Sequence, residues 1–247
     1  MRQPTNPIQK IKEKNKINLL VLTGSGISKE SGIPTFRDED GLWNKFDVKK
    51  VCTPEALENN TEEFLEFYNS LYHQIENSEP NNAHKFLKEL ENDFDVYIMT
   101  TNVDNLHEKA GSSNILHLHG KINEIRSSKN PYSVSIREKD LKIGDRHEDG
   151  SQLRPNIVLF GEYLTERSYN SLLNEADIFL IIGSSLKVNP VCWFVNCVNR
   201  EIPVIIVDPN PANLTDIPNL IKITGKASEA IPELEKKLNK IRSVWKK

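Results

Sequence analysis

Unbroken apolar runs such as Leu19-Leu20-Val21-Leu22 and Ile178-Phe179-Leu180-Ile181-Ile182 recur along the chain with helical stretches between them. A strand that is apolar at every position is covered on both faces, and strands that alternate with helices build a parallel, doubly wound sheet. Residues 17–23, 95–101, 114–118, 157–160, 177–182, 203–207 and 220–224 read as strands by this test. Between them, residues 61–76 carry Phe64, Leu65, Tyr68, Leu71, Tyr72 and Ile75 at the 3.6-residue period of a helix with one apolar face. Residues 82–92 carry Ala83, Phe86, Leu87 and Leu90 in the same way, and residues 227–245 repeat the pattern. The fold class predicted is α/β. Ligands of such folds bind outside the carboxyl ends of the strands, beside the topological switch point.

One stretch breaks the rhythm. Residues 121–153 hold 13 charged residues, a short alternating run at Tyr132, Val134 and Ile136, and turn signals at Lys129-Asn130-Pro131 and Asp149-Gly150. This predicts a small inserted module. A chain of 247 residues can bury one large core without staples. Its Cys52, Cys192 and Cys197 are scattered, with no C-x-x-C pair, and predict reduced, packed thiols rather than disulfides or a thiolate zinc site. Because 35 acidic residues outnumber 32 basic ones, nucleic-acid binding driven by bulk charge is not expected. No apolar run is long enough to cross a membrane, and the Lys-rich residues 1–16 read as a solvated arm. The expected location is the cytoplasm.

Several small constellations fall at predicted strand ends. Gly24-Ser25-Gly26 follows the first strand, where two glycines let backbone N–H groups approach an anion at a strand-to-helix turn, and Arg37 can clasp a phosphate. The third glycine of a dinucleotide fingerprint is missing, since position 29 is Lys, so a plain tight turn fits as well. Thr101-Asn102-Val103-Asp104 ends the second strand, with an amide and a carboxylate able to hold a carboxamide or ribose hydroxyls, or to cap a helix. His117-Leu118-His119-Gly120 puts two histidines on one strand face and frees His119 to face a cleft as a general base, although such a pair also serves in cores. Gly183-Ser184-Ser185 and Asp208 follow two later strands and suit phosphate and ribose contacts.

Taken together, these segments resemble the sirtuins, the NAD-dependent protein deacylases. The resemblance runs from Val21-Leu22-Thr23-Gly24 to Phe36-Arg37, then through Gly41-Leu42-Trp43, Thr53-Pro54-Glu55-Ala56, Pro80-Asn81, Ala83-His84 and Asn102-Val103-Asp104. It continues through Leu118-His119-Gly120, Leu153-Arg154-Pro155-Asn156, Phe160-Gly161-Glu162, Gly183 to Leu186, Gly225, Ala227 and Ile231-Pro232. It implies a single domain over 1–247, with a Rossmann-like part at about 16–120 and 154–247, a small module at about 121–153 and a helical insertion at about 38–80. It also implies NAD as co-substrate and an acyl-lysine protein or peptide as partner, with nicotinamide, the deacylated lysine and O-acyl-ADP-ribose as products. His119, with Asn102 and Asp104, takes the catalytic places. Gly24, Ser25, Gly26, Ile33, Phe36, Arg37, Thr101, Asn102, Asp104, Gly183, Ser184, Ser185, Asp208 and Ala227 match positions around the cofactor, and Tyr68, Val158, Phe160, Gly161 and Glu162 those around the substrate.

The chain departs from the family pattern in three places. Thr101 stands where the family has Gln, and Val207 or Asp208 where it has Asn. The two C-x-x-C pairs that bind zinc in the family are absent, their places falling in residues 124–129 and near Arg146-His147-Glu148-Asp149, so no zinc is expected. The module is then expected to hold itself through Tyr132, Val134 and Ile136, with Ile143 and Leu153 packed beneath. Sirtuins that favour succinyl or malonyl groups carry a Tyr and, three residues on, an Arg, whereas here Tyr68 is followed by Leu71, which implies neutral acyl groups. An NAD glycohydrolase or ADP-ribosyltransferase using the same cleft, or a nucleotide-binding module without catalysis, are the alternatives. The retained His119 favours deacylation, because attack by water needs no base for a ribose hydroxyl.

Overall fold

A computed structural model describes residues 16–35, 47–164, 169–187 and 191–245. The expected motifs Phe36-Arg37 and Gly41-Leu42-Trp43 and most of the N-terminal arm lie outside these residues. Strands β1 (Asn18–Thr23), β2 (Asp95–Thr100), β3 (Ile115–His117), β7 (Ile178–Ile182), β8 (Val204–Asp208) and β9 (Leu220–Thr224) form one parallel sheet in the order β3-β2-β1-β7-β8-β9. Counted along the parallel strands alone, this is the doubly wound order that reverses direction beside the first strand. The switch point therefore lies between β1 and β7.

Alternate residues of each central strand point to opposite faces, which is why the runs contain no polar break. Leu19, Val21, Ile98, Leu180 and Ile205 pack with the helices Asn82–Leu90 and Ile231–Trp245, while Leu20, Leu22, Met99, Phe179 and Ile206 pack with Leu173, Phe194 and Val198. The helix Thr61–Glu76 turns its apolar face the other way. Phe64, Tyr68 and Leu71 share a third cluster with Ile122, Leu141, Ile157 and Leu159, and so dock the small module onto the helical segment. None of the described helices is long and apolar enough to cross a membrane.

The module differs from expectation in how it is built. The strand expected at 157–160 lies earlier, at β6 (Leu153–Ile157), and pairs antiparallel with β4 (Gly120–Ser127), a strand whose mixed charges concealed it; the short β5 (Ser135–Ile136) completes this second sheet. Residues 154–157 thus sit in the small sheet. Tyr132 (82% exposed), Val134, Ile136 and Ile143 are all exposed and cannot be its core; of the expected set only Leu153 packs inward.

Buried polar groups do that work instead. Arg154, 1% exposed, and Arg126 both bond the Glu162 carboxylate, while the Arg137 guanidinium lies 4.0 Å from the Tyr72 ring centroid and bonds Asn69 Oδ1. A buried guanidinium needs acceptors, and these arginines find them partly outside the module, at Glu162 and at Tyr68 and Asn69 of the helix Thr61–Glu76. The packed-thiol expectation fails at one cysteine: Cys52 is buried, but Cys197 is exposed.

Candidate functional site

The loops after β1 and β7 meet at the switch point. Gly24 N–H donates to the Ile182 carbonyl (3.1 Å) and Gly26 N–H to the Gly183 carbonyl (2.9 Å). A Cβ on Gly26 would lie 2.7 Å from Gly183 Cα, and one on Gly183, whose φ is +61°, 2.4 Å from the Ile27 nitrogen. These glycines are therefore required by the contact of two backbones. The N–H groups of Gly24 and Gly26, expected to face an anion, are already committed.

Beside this contact opens a cleft of ≈ 1640 Å³, walled by residues from both loops and from the ends of β2, β3, β6 and β8. It collects Gly24, Ser25, Gly26, Thr101, Asn102, His119, Gly183, Ser184, Ser185, Asp208 and Ala227 from the cofactor and catalytic expectations, and Tyr68, Val158, Phe160, Gly161 and Glu162 from the substrate ones. Ile33 and Asp104 are buried behind it and do not line it. One end of the cleft is apolar, with Phe67, Leu71, Ile157 and Leu159, and there Tyr68 donates its hydroxyl to Cys52 Sγ at 3.7 Å. Burial pushes both the Tyr68 phenol and the Cys52 thiol up, so each stays protonated.

His119 sits where the large sheet hands over to the small one. Gly120, at φ +74°, makes the bend, and a Cβ there would lie 2.0 Å from the Asn156 carbonyl oxygen. His119 Nδ1 lies 3.0 Å from the Thr101 carbonyl oxygen, which can only accept, so Nδ1 carries the hydrogen and the neutral ring keeps its lone pair on Nε2. Burial lowers the pKa of this ring, opposed by that hydrogen bond. The segment after His119 is pinned to it: Val158 N–H donates to the His119 carbonyl and Phe160 N–H to that of Cys52, both at 2.9 Å. The Glu162 side chain accepts from Arg154, Arg126 and the Leu159 N–H, so it fixes the 158–162 turn.

Asn102 and Asp104 divide their labour. The Asn102 amide donates to the Gly24 carbonyl (3.1 Å) and to Ser28 Oγ (3.0 Å), and Ser28 donates onward to Asp104 Oδ2 (2.9 Å). Asp104 Oδ1 accepts the Leu106 N–H and starts the short helix Leu106–Lys109. Asp104 thus supports Asn102 through Ser28, a residue the sequence reading missed; its signal was a small hydroxyl one turn after Gly24. Thr101 donates its hydroxyl to the Thr23 carbonyl. Below the site, Thr23 Oγ1 contacts His107 Nε2 at 2.9 Å, and His107 packs edge-on against His84, whose two ring nitrogens have no partner among the described residues.

Residues 24–190 match the family model described as Sir2 family. A protein named NAD-dependent protein deacylase from Bacteroides thetaiotaomicron is 43% identical over 228 residues, covering 90% of this chain and 97% of its own. Among solved structures, a mutant Sir2 homologue in complex with ADP-ribose superposes with a TM-score of 0.83 at 34% identity, covering 93% of this chain and 94% of its own. A Sir2 mutant with a deacetylated p53 peptide and 3'-O-acetyl ADP-ribose superposes at 0.78 with 28% identity, covering 90% and 94%.

Proposed function

Because the chain belongs to the Sir2 family, we propose that it is an NAD-dependent protein lysine deacylase that moves the acyl group from lysine to ADP-ribose. The observation that carries this reading is the His119 ring, neutral and fixed by Thr101, on the wall of the same cleft as the two packed glycine loops. The donor set suits NAD: hydroxyls of Ser25, Ser184 and Ser185, the Asn102 amide and the Asp208 carboxylate share one cleft. When bound, NAD supplies an anomeric carbon with nicotinamide as leaving group. His119 Nε2 then takes the proton of a ribose hydroxyl, and Asn102, held by Gly24 and Ser28, orients the ribose side. The Val158–Glu162 turn offers backbone to an extended peptide, which adds to it as a strand would.

We read the acyl subsite as one for neutral groups. Leu71 contributes no charge, and the Arg137 guanidinium is committed to the Tyr68 carbonyl, Asn69 and the Lys139 carbonyl. We also read the small module as metal-independent. Ser127 Oγ accepts the N–H groups of Lys129 and Asn130 and donates to Asp149 Oδ2, while Ser151 Oγ, 2.7 Å from Ser127 Oγ, donates to Asp149 Oδ1. Hydroxyls already satisfied by one another and by backbone are poor zinc ligands, so this donor set does not fit the family's metal. The large and small parts expected from the sequence would meet at this cleft, and the location proposed is the cytoplasm, without nucleic-acid or membrane partners. Nicotinamide release that depends on added acetyl-lysine peptide tests the reading; release at the same rate without peptide would identify a glycohydrolase.

A further inference from the structure

His117 lies outside the reaction scheme above, yet it is bonded at both ring nitrogens. Its Nδ1 lies 3.2 Å from the Asn102 carbonyl oxygen and its Nε2 2.8 Å from Glu108 Oε1. A carbonyl oxygen can only accept, and so can a carboxylate. Glu108 is kept ionised, since the bond and charge of His117, helped by Lys121, outweigh its burial and lower its pKa. Each nitrogen of the His117 ring thus faces an oxygen that can only accept, and the ring is held from two sides.

The position of that ring has consequences. His117 ends β3, while Asn102 lies just past β2 and Glu108 on the helix Leu106–Lys109, so one ring ties the strand to both ends of the segment that bears Asn102 and Asp104. The charged and titratable groups around it are Glu108 by direct contact, the buried Asp104 and His107 through their fields, and Lys121 on the far side of Glu108. Burial raises the pKa of Asp104, opposed by the hydrogen bonds it accepts from the Leu106 N–H and from Ser28. Asn102 receives the benefit. Its amide reaches Gly24 and Ser28 only if its backbone is held, and the only described contact to its carbonyl from a side chain is His117 Nδ1.

We propose that His117 is a positioning residue of the deacylase: held between Glu108 and the Asn102 carbonyl, its ring fixes the Asn102 backbone and thereby the side chain that lines the cleft. The proposal rests on the deacylase reading. It predicts a loss in the chemical step rather than in peptide affinity, because His117 makes no described hydrogen bond to the 158–162 turn along which the peptide is proposed to lie.

The experiment compares wild-type protein with His117→Leu and His117→Asn, using NAD and an acetyl-lysine peptide, with melting temperature measured in parallel. The Asn amide can keep a donor near the place of Nδ1. His117→Leu should lower kcat about tenfold or more with KM for peptide within about twofold, and His117→Asn should return kcat to within about threefold of wild type. A Leu variant with wild-type kcat, or an Asn variant as impaired as Leu while equally stable, overturns the proposal. If His117→Leu does not fold, the soluble pair His117→Asn and Glu108→Gln decides: Glu108→Gln should impair kcat more than His117→Asn does. A wild-type protein without peptide-dependent turnover would defeat the deacylase reading instead. In that case nitrogen NMR of the free protein still decides the contact, for a hydrogen on His117 Nδ1 supports it and a bare Nδ1 overturns it.

Discussion

His119 Nδ1 lies 3.0 Å from the Thr101 carbonyl oxygen, and this single contact decides which ring nitrogen is able to accept a proton. The tautomer is set by the backbone of a neighbouring strand end rather than by a carboxylate. The ring is thereby oriented without gaining a negative partner that would raise its pKa.

Replacement of His119 by Ala should remove deacylation while leaving NAD binding nearly intact. A base lost from the chemical step raises the barrier without removing ground-state contacts, and a positioned base contributes about 10²-fold or more. Steady-state turnover beside calorimetric NAD titration checks this. Turnover above about a tenth of wild type would place the base elsewhere.

The buried histidine pair should make stability fall on acidification. Burial lowers the His84 pKa to about 4 and drives that of His107 lower than the ordinary histidine value as well. Between about 6.5 and about 4, the unfolded chain binds protons at these sites and the folded chain does not, so stability decreases as pH falls through that window. For His84 the loss is about 3 kcal/mol by the time pH 4 is reached. Urea unfolding at several pH values should show a shallower slope for His84→Leu than for wild type, and an unchanged slope would contradict this origin.

Acyl selectivity should favour acetyl over succinyl on the same peptide. A succinyl carboxylate beside Leu71 would meet the apolar end of the cleft, with Phe67, Ile157 and Leu159, at a cost of a few kcal/mol, because the cleft's lysines, Lys29, Lys187 and Lys226, follow β1, β7 and β9 instead. Competing both peptides for one enzyme measures the ratio of kcat/KM directly. Faster removal of succinyl would show that another group supplies the charge.

Chelation should change neither melting temperature nor activity, because a module that is metal-independent, as proposed, links no metal binding to its folding. Loss of the hydrogen-bonded hub should. Ser127→Ala leaves the Lys129 and Asn130 N–H groups and Asp149 without their shared partner and should destabilise by about 2 kcal/mol. A chelator that lowers the melting temperature, reversed by zinc alone, would instead assign ligands in this module.

What the sequence disclosed, and what it hid, follows from how far each signal reaches along the chain. Leu19 to Leu22 and Ile178 to Ile182 announce central strands because both faces are buried, and the helix Thr61–Glu76 shows its face by period. Strand β4 was hidden because Lys121, Asn123 and Glu124 are interspersed with Ile122 and Ile125, and its partners, Ser135-Ile136 and Leu153–Ile157, are short or interrupted by Arg154 and Pro155. Tyr132 and Ile136 suggested a core by their type, but the module's interior is filled by Arg126, Arg137 and Arg154, whose acceptors lie up to 69 positions away. At the site, His119 and Asn102 were legible as polar residues at strand ends. Ser28, His117 and Glu108 were not legible, because their roles depend on contacts between elements that only the folded chain creates.

The central claim is that the cleft transfers an acyl group from lysine to ADP-ribose, with His119 Nε2 as the base. Mass spectrometry of the products formed from NAD and an acetyl-lysine peptide tests it most directly. The account predicts nicotinamide, deacetylated peptide and O-acetyl-ADP-ribose in equal amounts, and no such products from His119→Ala. Free ADP-ribose with the peptide still acetylated, or ADP-ribose attached to the peptide, would contradict it.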